Sequence, residues 1–210
     1  MEWGQSMLEN GAKRTSEQHT WDAILRAAAA TGKSVDEVDR MISVMVRDAK
    51  NDGKDAGPGI KTFNSLIQFA LSRNDAYTAE RYFALAQKWG AEPNAQSFIL
   101  QIEYRLAAGD VGGALSAYNR LRDEKIADNE DWDIMNRLVR VVLARPKIPS
   151  ETIIGLVEDI SDRRKIFPAD TVLALCTYHL NRDEYFELVD LLQTYAYQYS
   201  IAQRLSLIHI

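Results

Sequence analysis

The sequence contains little cysteine, proline or glycine, and it has no long hydrophobic run. Cys176 is the one cysteine among 210 residues, so the chain cannot form an internal disulfide. Five prolines and eleven glycines fall mostly between candidate helices, where they do not interrupt a helical pattern. No stretch of about 18 apolar residues occurs, and the sequence therefore predicts no membrane-spanning helix.

The sequence is also poor in positive charge. It has 30 acidic and 25 basic residues, which gives a formal net charge of −5. Proteins that bind nucleic acid usually carry a basic footprint, so this balance argues against an RNA partner. Residues 1–20 lack the arginine-rich, acid-poor pattern of an organelle transit peptide. We therefore expect any targeting signal to lie outside this sequence.

The alternation of β-branched and polar residues that predicts strands is missing as well. Hydrophobic residues make up 46% of the chain, which is enough for a core. The sequence therefore predicts an all-α protein, with boundary errors of a few residues. The ten predicted helices cover roughly residues 20–30, 35–50, 61–73, 76–89, 95–108, 111–124, 130–144, 150–164, 169–181 and 184–199.

Two glycine-containing motifs, at residues 31–34 and 109–113, do not fit the pattern of nucleotide-binding loops. Residues 31–34 read Thr-Gly-Lys-Ser, like the end of a phosphate-binding loop, but Ala27 stands where that loop needs glycine. We interpret Gly32 as a helix end and Ser34 as the cap of the next helix. The segment 109–113 follows no predicted strand, so we interpret it as a hairpin turn.

The cysteine and the histidines do not form a catalytic or metal site in the sequence. Cys176 and His179 lie three residues apart on one predicted helix, but two ligands do not complete a tetrahedral zinc site. Cys176 lies in an apolar run, which is typical of a buried, inert thiol. We therefore expect no enzyme activity, no cofactor, no metal and no small-molecule substrate.

Two stretches of the chain repeat the same helix–turn–helix pattern. Phe63 and Phe98 lie 35 residues apart, and so do Ala79 and Ala114. A fixed period of this size is typical of stacked helical repeats. Each repeat closes before a candidate N-cap residue, and these caps are Asn94 and Asp128.

The pattern extends in both directions. Trp21 and Trp132 are predicted to occupy the same structural core position as Phe63 and Phe98. An irregular helical domain with aromatics spaced by chance is the alternative. The predicted repeats span 20–60, 61–94, 95–129, 130–170 and 171–200, after the end of a truncated repeat at 1–19 and before a disordered or artefactual tail at 201–210. We expect this sequence to be part of a longer protein.

One repeat resembles the pentatricopeptide repeat. Thr62 to Ile67 is similar to the opening of that repeat, Ala79 to Phe83 to its second helix, and Gly90 to Asn94 to its close. The resemblance implies an α-solenoid of stacked helical hairpins, like that of tetratricopeptide repeats, wound into a right-handed superhelix. It also implies binding of single-stranded RNA, one base per repeat, through a polar residue on the first helix and another at the end of the repeat.

The positions that would read RNA are only partly suited to it. By resemblance they are Asn64 with Asn94 in one repeat and Asp133 with Asp170 in another. A carboxylate repels phosphate, and Ile99, at the matching position of the repeat between them, cannot bond a base edge. Asp22 would take this position in the first repeat, and Asp128 would close the repeat of Ile99. A protein partner is therefore favoured over RNA.

A wider resemblance covers residues 20–200. They are similar to the larger, repeat-containing complex I intermediate-associated proteins of fungal mitochondria. The resemblance implies an assembly factor on the matrix side of mitochondria, with assembly intermediates of the membrane arm of respiratory complex I as partners. A mitochondrial RNA-binding factor acting on organelle transcripts and a cytosolic protein-interaction adaptor remain as alternatives. The stretches that carry the resemblance are 60–90, 104–111, 157–164 and 197–200.

Overall fold

The computed structural model of the chain describes residues 20, 22–51, 57–124, 130–162 and 166–195. The described residues form ten α helices and contain no strand, which confirms the all-α prediction for this part of the chain. The chain divides into two compact units, Met1–Lys125 and Ile126–Ile210. The predicted end segments, 1–19 and 201–210, lie outside the described residues, as does Trp21.

The helices agree with the predicted ones to within a few residues. Unit 1 contains α1 (22–30), α2 (Val35–Asn51), α3 (Ile60–Ser72), α4 (Ala76–Lys88), α5 (Ala95–Ala107) and α6 (Val111–Arg122). Unit 2 contains α7 (Trp132–Leu143), α8 (Ser150–Ser161), α9 (Ala169–Leu180) and α10 (Tyr185–Tyr195). The predicted end of α10, near residue 199, lies outside the described residues.

The turn between α1 and α2 shows why the phosphate-loop motif is a helix boundary. Gly32 has φ +87, a left-handed conformation that glycine adopts without steric cost. The Ser34 backbone N–H donates to the Glu37 carboxylate at 2.8 Å, and the Glu37 backbone N–H donates to the Ser34 hydroxyl at 3.3 Å. This reciprocal pair is a capping box, so the interpretation of Gly32 and Ser34 is confirmed.

The 109–113 segment combines a turn with the start of a helix. Gly109, with φ +75, ends the turn, and Asp110 caps α6 by accepting a hydrogen bond from the Gly113 backbone N–H at 2.9 Å. A Cβ atom on Gly113 would collide with the Asp110 carboxylate and with Arg105. The hairpin-turn interpretation is therefore right for Gly109 and Asp110, whereas Gly112 and Gly113 belong to the first turn of α6.

Of the two predicted caps, one is confirmed and one is corrected. Asn94 is the N-cap of α5 and accepts from the Ser97 backbone N–H at 3.0 Å. Asp128 lies outside the described residues, and α7 begins later than predicted, at Trp132 with Asp131 in the N-cap position. The predicted helix therefore starts at residue 130, two residues before the observed one.

In each helical hairpin, the fourth residue of the first helix is buried. These first helices are α1, α3, α5, α7 and α9. Phe63 of α3 is 0% exposed, and Phe98, the fourth residue of α5, is also buried. The corresponding residue of α7 is Met135, because Trp132 is the first residue of that helix. Trp132 is half-buried and stacks on Phe167 at 6.1 Å, so the structure places it beside the core position and not in it. The full set of buried fourth residues is Leu25, Phe63, Phe98, Met135 and Val172.

Unit 1 is built from helix pairs that contact their neighbours along the chain. α3 packs on α4 and α5 packs on α6, while α5 also contacts α3 and α4. The tilted rings of Phe83 and Tyr104 lie 6.3 Å apart in the core between these helices. Arg105 bonds Glu80 of α4 at 2.7 Å and Asp110, the cap of α6, at 2.8 Å. One guanidinium thus joins three elements.

Unit 2 follows the same order of contacts. α7 packs on α8 and on α9, and α9 packs on α10. Its buried side chains include Met135, Leu138, Leu156 and Val172. Phe167, just before α9, contacts the rings of both Trp132 and Tyr195.

The caps of α4 and α6 predict acid sensitivity. The Thr78 backbone N–H lowers the pKa of Asp75, and the Gly113 backbone N–H, helped by Arg105, lowers the pKa of Asp110. A folded-state pKa below the unfolded value of about 4 adds stability above pH 4, and that stability is lost as pH falls through the folded pKa. We therefore expect the urea midpoint to be flat from pH 7 to about 5 and to drop below about 4.

The variant Asp110→Asn tests this pH dependence. Asparagine also caps helices well but does not titrate. The expected result is a slightly lower urea midpoint at pH 7 and a shallower fall in acid. An unchanged acid slope would show that Asp110 does not contribute to the pH dependence.

Candidate functional site

Hydroxyl groups join successive first helices within each unit. The third residue of α3 is Thr62, whose hydroxyl donates to the Asp22 carboxylate of α1. The third residue of α9 is Thr171, whose hydroxyl accepts a hydrogen bond from Arg140 of α7 at 3.1 Å. Both threonines are fully buried, so these bonds satisfy groups that water does not reach. In α7 the third residue is Ile134, which has no hydroxyl.

A similar hydroxyl bond in α5 involves Asn64 and Asn94, the two asparagines that the resemblance assigns to RNA binding. The Asn64 amide donates to the Asn94 side-chain oxygen at 3.1 Å. The Ser97 hydroxyl, at the third position of α5, donates to the Asn64 oxygen at 2.9 Å, with the Asn94 oxygen 3.0 Å away. Asn64 is only 7% exposed. The structure therefore brings the predicted pair together, but these contacts are structural and do not support base reading.

The other predicted positions do not meet in the same way. Asp133 and Asp170 are exposed, and each is the second residue of its helix, α7 or α9. Counted from the helix start, the counterpart of Asn64 is Asn136, which is 1% exposed and donates to the Trp132 carbonyl at 2.8 Å. Asn136 could not be recognised from the sequence, because an alignment of the repeats on Trp132 places Asp133 at this position. Ile99, the counterpart of Asn64 in α5, is buried.

The cysteine and histidine of α9 do not form a nucleophilic pair. Cys176 is fully buried, and burial raises the pKa of its thiol, which keeps it protonated. His179 lies with its Nδ1 atom 2.8 Å from the Glu184 carboxylate, at the end of the same helix. Among the described residues, no group of three or more His, Cys, Asp or Glu side chains could hold a metal ion.

An open groove of about 670 Å³ lies in unit 2. Its walls are the C-terminal end of α7, the connection to α8, the start of α8 and one face of α9. This volume falls in the range of about 300–1,000 Å³ that is typical of binding sites. The apolar part of the wall includes Leu143, Ile148, Ile153, Leu173 and Ala174.

Three arginines line the described part of the groove, and contacts hold two of them. Arg140 donates to the buried Thr171 hydroxyl at 3.1 Å. Arg182 donates to Glu184 at 2.6 Å and to Ser150 at 3.2 Å, and its guanidinium lies 5.3 Å from the ring centre of Tyr178. Arg145 is exposed. Among the described residues of the lining, Asp170 is the one carboxylate, so this part of the groove is cationic although the chain is acidic.

In the described ranges, no helix combines the length and the hydropathy needed to cross a membrane.

The comparisons with known proteins give one distant homologue. No protein-family model matches the sequence. The mitochondrial complex I intermediate-associated protein 84 of Neurospora crassa is 30% identical over 145 residues, which cover 68% of this chain. The matched region spans 18% of the length of that protein. Its name describes association with an intermediate of complex I in mitochondria.

Proposed function

We propose that this chain is a non-catalytic binding scaffold that acts in the assembly of mitochondrial complex I. The observation that carries the proposal is its similarity over 145 residues to a complex I intermediate-associated protein. The described contacts fit a binding role, because the thiol is buried and protonated while an open groove presents arginines and apolar side chains.

We also propose that the helices form a pentatricopeptide-type solenoid with a right-handed superhelix. Contacts between successive first helices, α3 with α5 and α7 with α9, support this arrangement. The buried fourth residue recurs in every first helix, and a bonded hydroxyl stands at the third position of α3, α5 and α9, as stacked repeats favour. Each hairpin then completes its core against its neighbour.

We further propose a location and a partner for the protein. We place the protein on the matrix side of mitochondria, with assembly intermediates of the membrane arm as its partners. The mitochondrial name of the relative supports the compartment, and the cationic groove of unit 2 supports a protein partner. The RNA alternative has no support in the contacts of Asn64 and Asn94, which bond each other.

Affinity capture tests the proposal. The longest natural form of the protein, tagged and expressed in its own cells, is captured from mitochondria solubilised in mild detergent. We expect enrichment of membrane-arm subunits of complex I, migrating on native gels as a species smaller than the mature complex. An unrelated tagged matrix protein serves as the control. Recovery of RNA with one shared motif, and of no complex I subunit, would overturn the proposal.

A further inference from the structure

We propose that the groove of unit 2 binds an acidic segment of a partner protein that also carries apolar side chains. The inference deepens the proposed binding role and rests on it. An acidic, partly apolar peptide fits the groove because the groove combines two features: guanidinium groups without full charge compensation and a set of apolar side chains.

The charge of the groove is opposite to that of the chain. The described part of its lining has three arginines and one carboxylate, whereas the whole chain carries a net charge of −5. Glu184 pairs with Arg182 from outside the lining. Among the described residues, no carboxylate forms an ion pair with Arg140 or Arg145. Two guanidinium groups therefore remain for an acidic ligand.

Two of the three guanidinium groups, those of Arg140 and Arg182, are positioned before any ligand arrives. Arg140 is half-buried and fixed by the Thr171 hydroxyl, and Arg182 is fixed between Ser150, Glu184 and Tyr178. A side chain that is already ordered loses less entropy on binding. Because guanidinium presents paired N–H donors, its best partner is a carboxylate bound through both oxygens.

The apolar wall distinguishes a protein partner from RNA. Leu143 and Ile148 come from α7 and the connection after it, Ile153 comes from α8, and Leu173 comes from α9. Burying aliphatic side chains of a peptide against this wall contributes about 25 cal/mol per Å² of apolar surface. Single-stranded RNA binds instead through cationic tracks and stacked aromatic rings, and Tyr178 is the one aromatic residue among the lining residues that the structure describes.

The test is a fluorescence anisotropy titration of the full chain. The probe is a fluorescein-labelled peptide in which leucines are separated by pairs of glutamates. A second peptide replaces each glutamate with glutamine, and a labelled uridine oligonucleotide represents RNA. We expect binding of the glutamate peptide, weakening as salt rises, and at least about tenfold weaker binding of the glutamine peptide, because hydrogen bonds between charged groups are strong.

Three variants locate the site. Arg145→Glu reverses an exposed charge in the groove and is expected to weaken peptide binding about tenfold. Arg137→Glu is the matched control, because Arg137 is exposed on α7 outside the groove lining, and we expect a change of less than about twofold at physiological salt. Asp170→Asn removes a carboxylate from the groove and is expected to tighten binding a few-fold. Because misfolding lowers affinity, tighter binding by Asp170→Asn would report on the groove itself.

Equal effects of Arg145→Glu and Arg137→Glu would overturn the inference, as would equal affinity for the two peptides. Preferential binding of the uridine oligonucleotide, lost in Arg145→Glu, would assign the groove to RNA and also overturn it. The peptide titration uses the purified chain alone, so its result does not depend on the capture experiment. If the protein binds the peptide but recovers no complex I subunit, the groove proposal stands and the assembly proposal is wrong.

Discussion

Replacing Phe63 with alanine is expected to lower the free energy of unfolding by about 3–5 kcal/mol. Phe63 is 0% exposed and belongs to one buried cluster with Leu66, Tyr82 and Phe83. Removing its ring forfeits the transfer free energy of the ring and leaves a cavity that well-packed neighbours fill only in part. The measurement is urea unfolding followed by circular dichroism at 25 °C.

Phe186→Ala is the matched control for this experiment. It makes the same chemical change at a side chain that is 87% exposed, so we expect a change of less than about 0.5 kcal/mol. The slope of the transition should stay the same in both variants, because the surface exposed on unfolding hardly changes. Equal losses in the two variants would contradict the placement of Phe63 in the core.

Replacing Asn94 with alanine is expected to cost about 2–4 kcal/mol. Loss of an N-cap side chain accounts for about 1 kcal/mol. The remainder comes from the Asn64 amide, which is nearly buried and loses its acceptor, at a cost of about 1–3 kcal/mol. The Ser97 hydroxyl keeps its bond to Asn64, which limits the loss.

Asp75→Ala separates the two contributions. Asp75 caps α4 by accepting from the Thr78 backbone N–H at 2.9 Å, and it is exposed. We expect a loss of about 1 kcal/mol, the ordinary value of an N-cap. The excess loss in Asn94→Ala then measures the link between α3 and α5. If the two variants lose the same free energy, the Asn64–Asn94 bond contributes nothing to stability.

Helix positions could be predicted from the sequence because their signals are local. Gly32 and Ser34 mark a boundary through backbone conformation and capping, and Asn94 marks another. These signals act within three or four residues, so they do not depend on the rest of the fold. The same holds for the interpretation of Gly109 and Asp110 as a turn.

The register of the repeats was harder to predict because it depends on burial. An aromatic residue beside the core, Trp132, resembles one inside it, and the aliphatic Met135 at the true core position carries no comparable signal. Aligning on Trp132 shifted the expected site from Asn136 to Asp133. The groove of unit 2 could not be predicted at all, because Arg140, Arg145 and Arg182 converge only through the packing of α7 on α9.

The Asn94 side chain has a consequence for folding. Its oxygen accepts both from the Ser97 backbone N–H within α5 and from the Asn64 amide of α3. A local contact of three residues and a contact across 30 residues therefore share one atom. The first turn of α5 has its full set of bonds only when α3 holds Asn64 in place. A cap of this kind couples the two helices, because the ordering of either α3 or the start of α5 favours the ordering of the other.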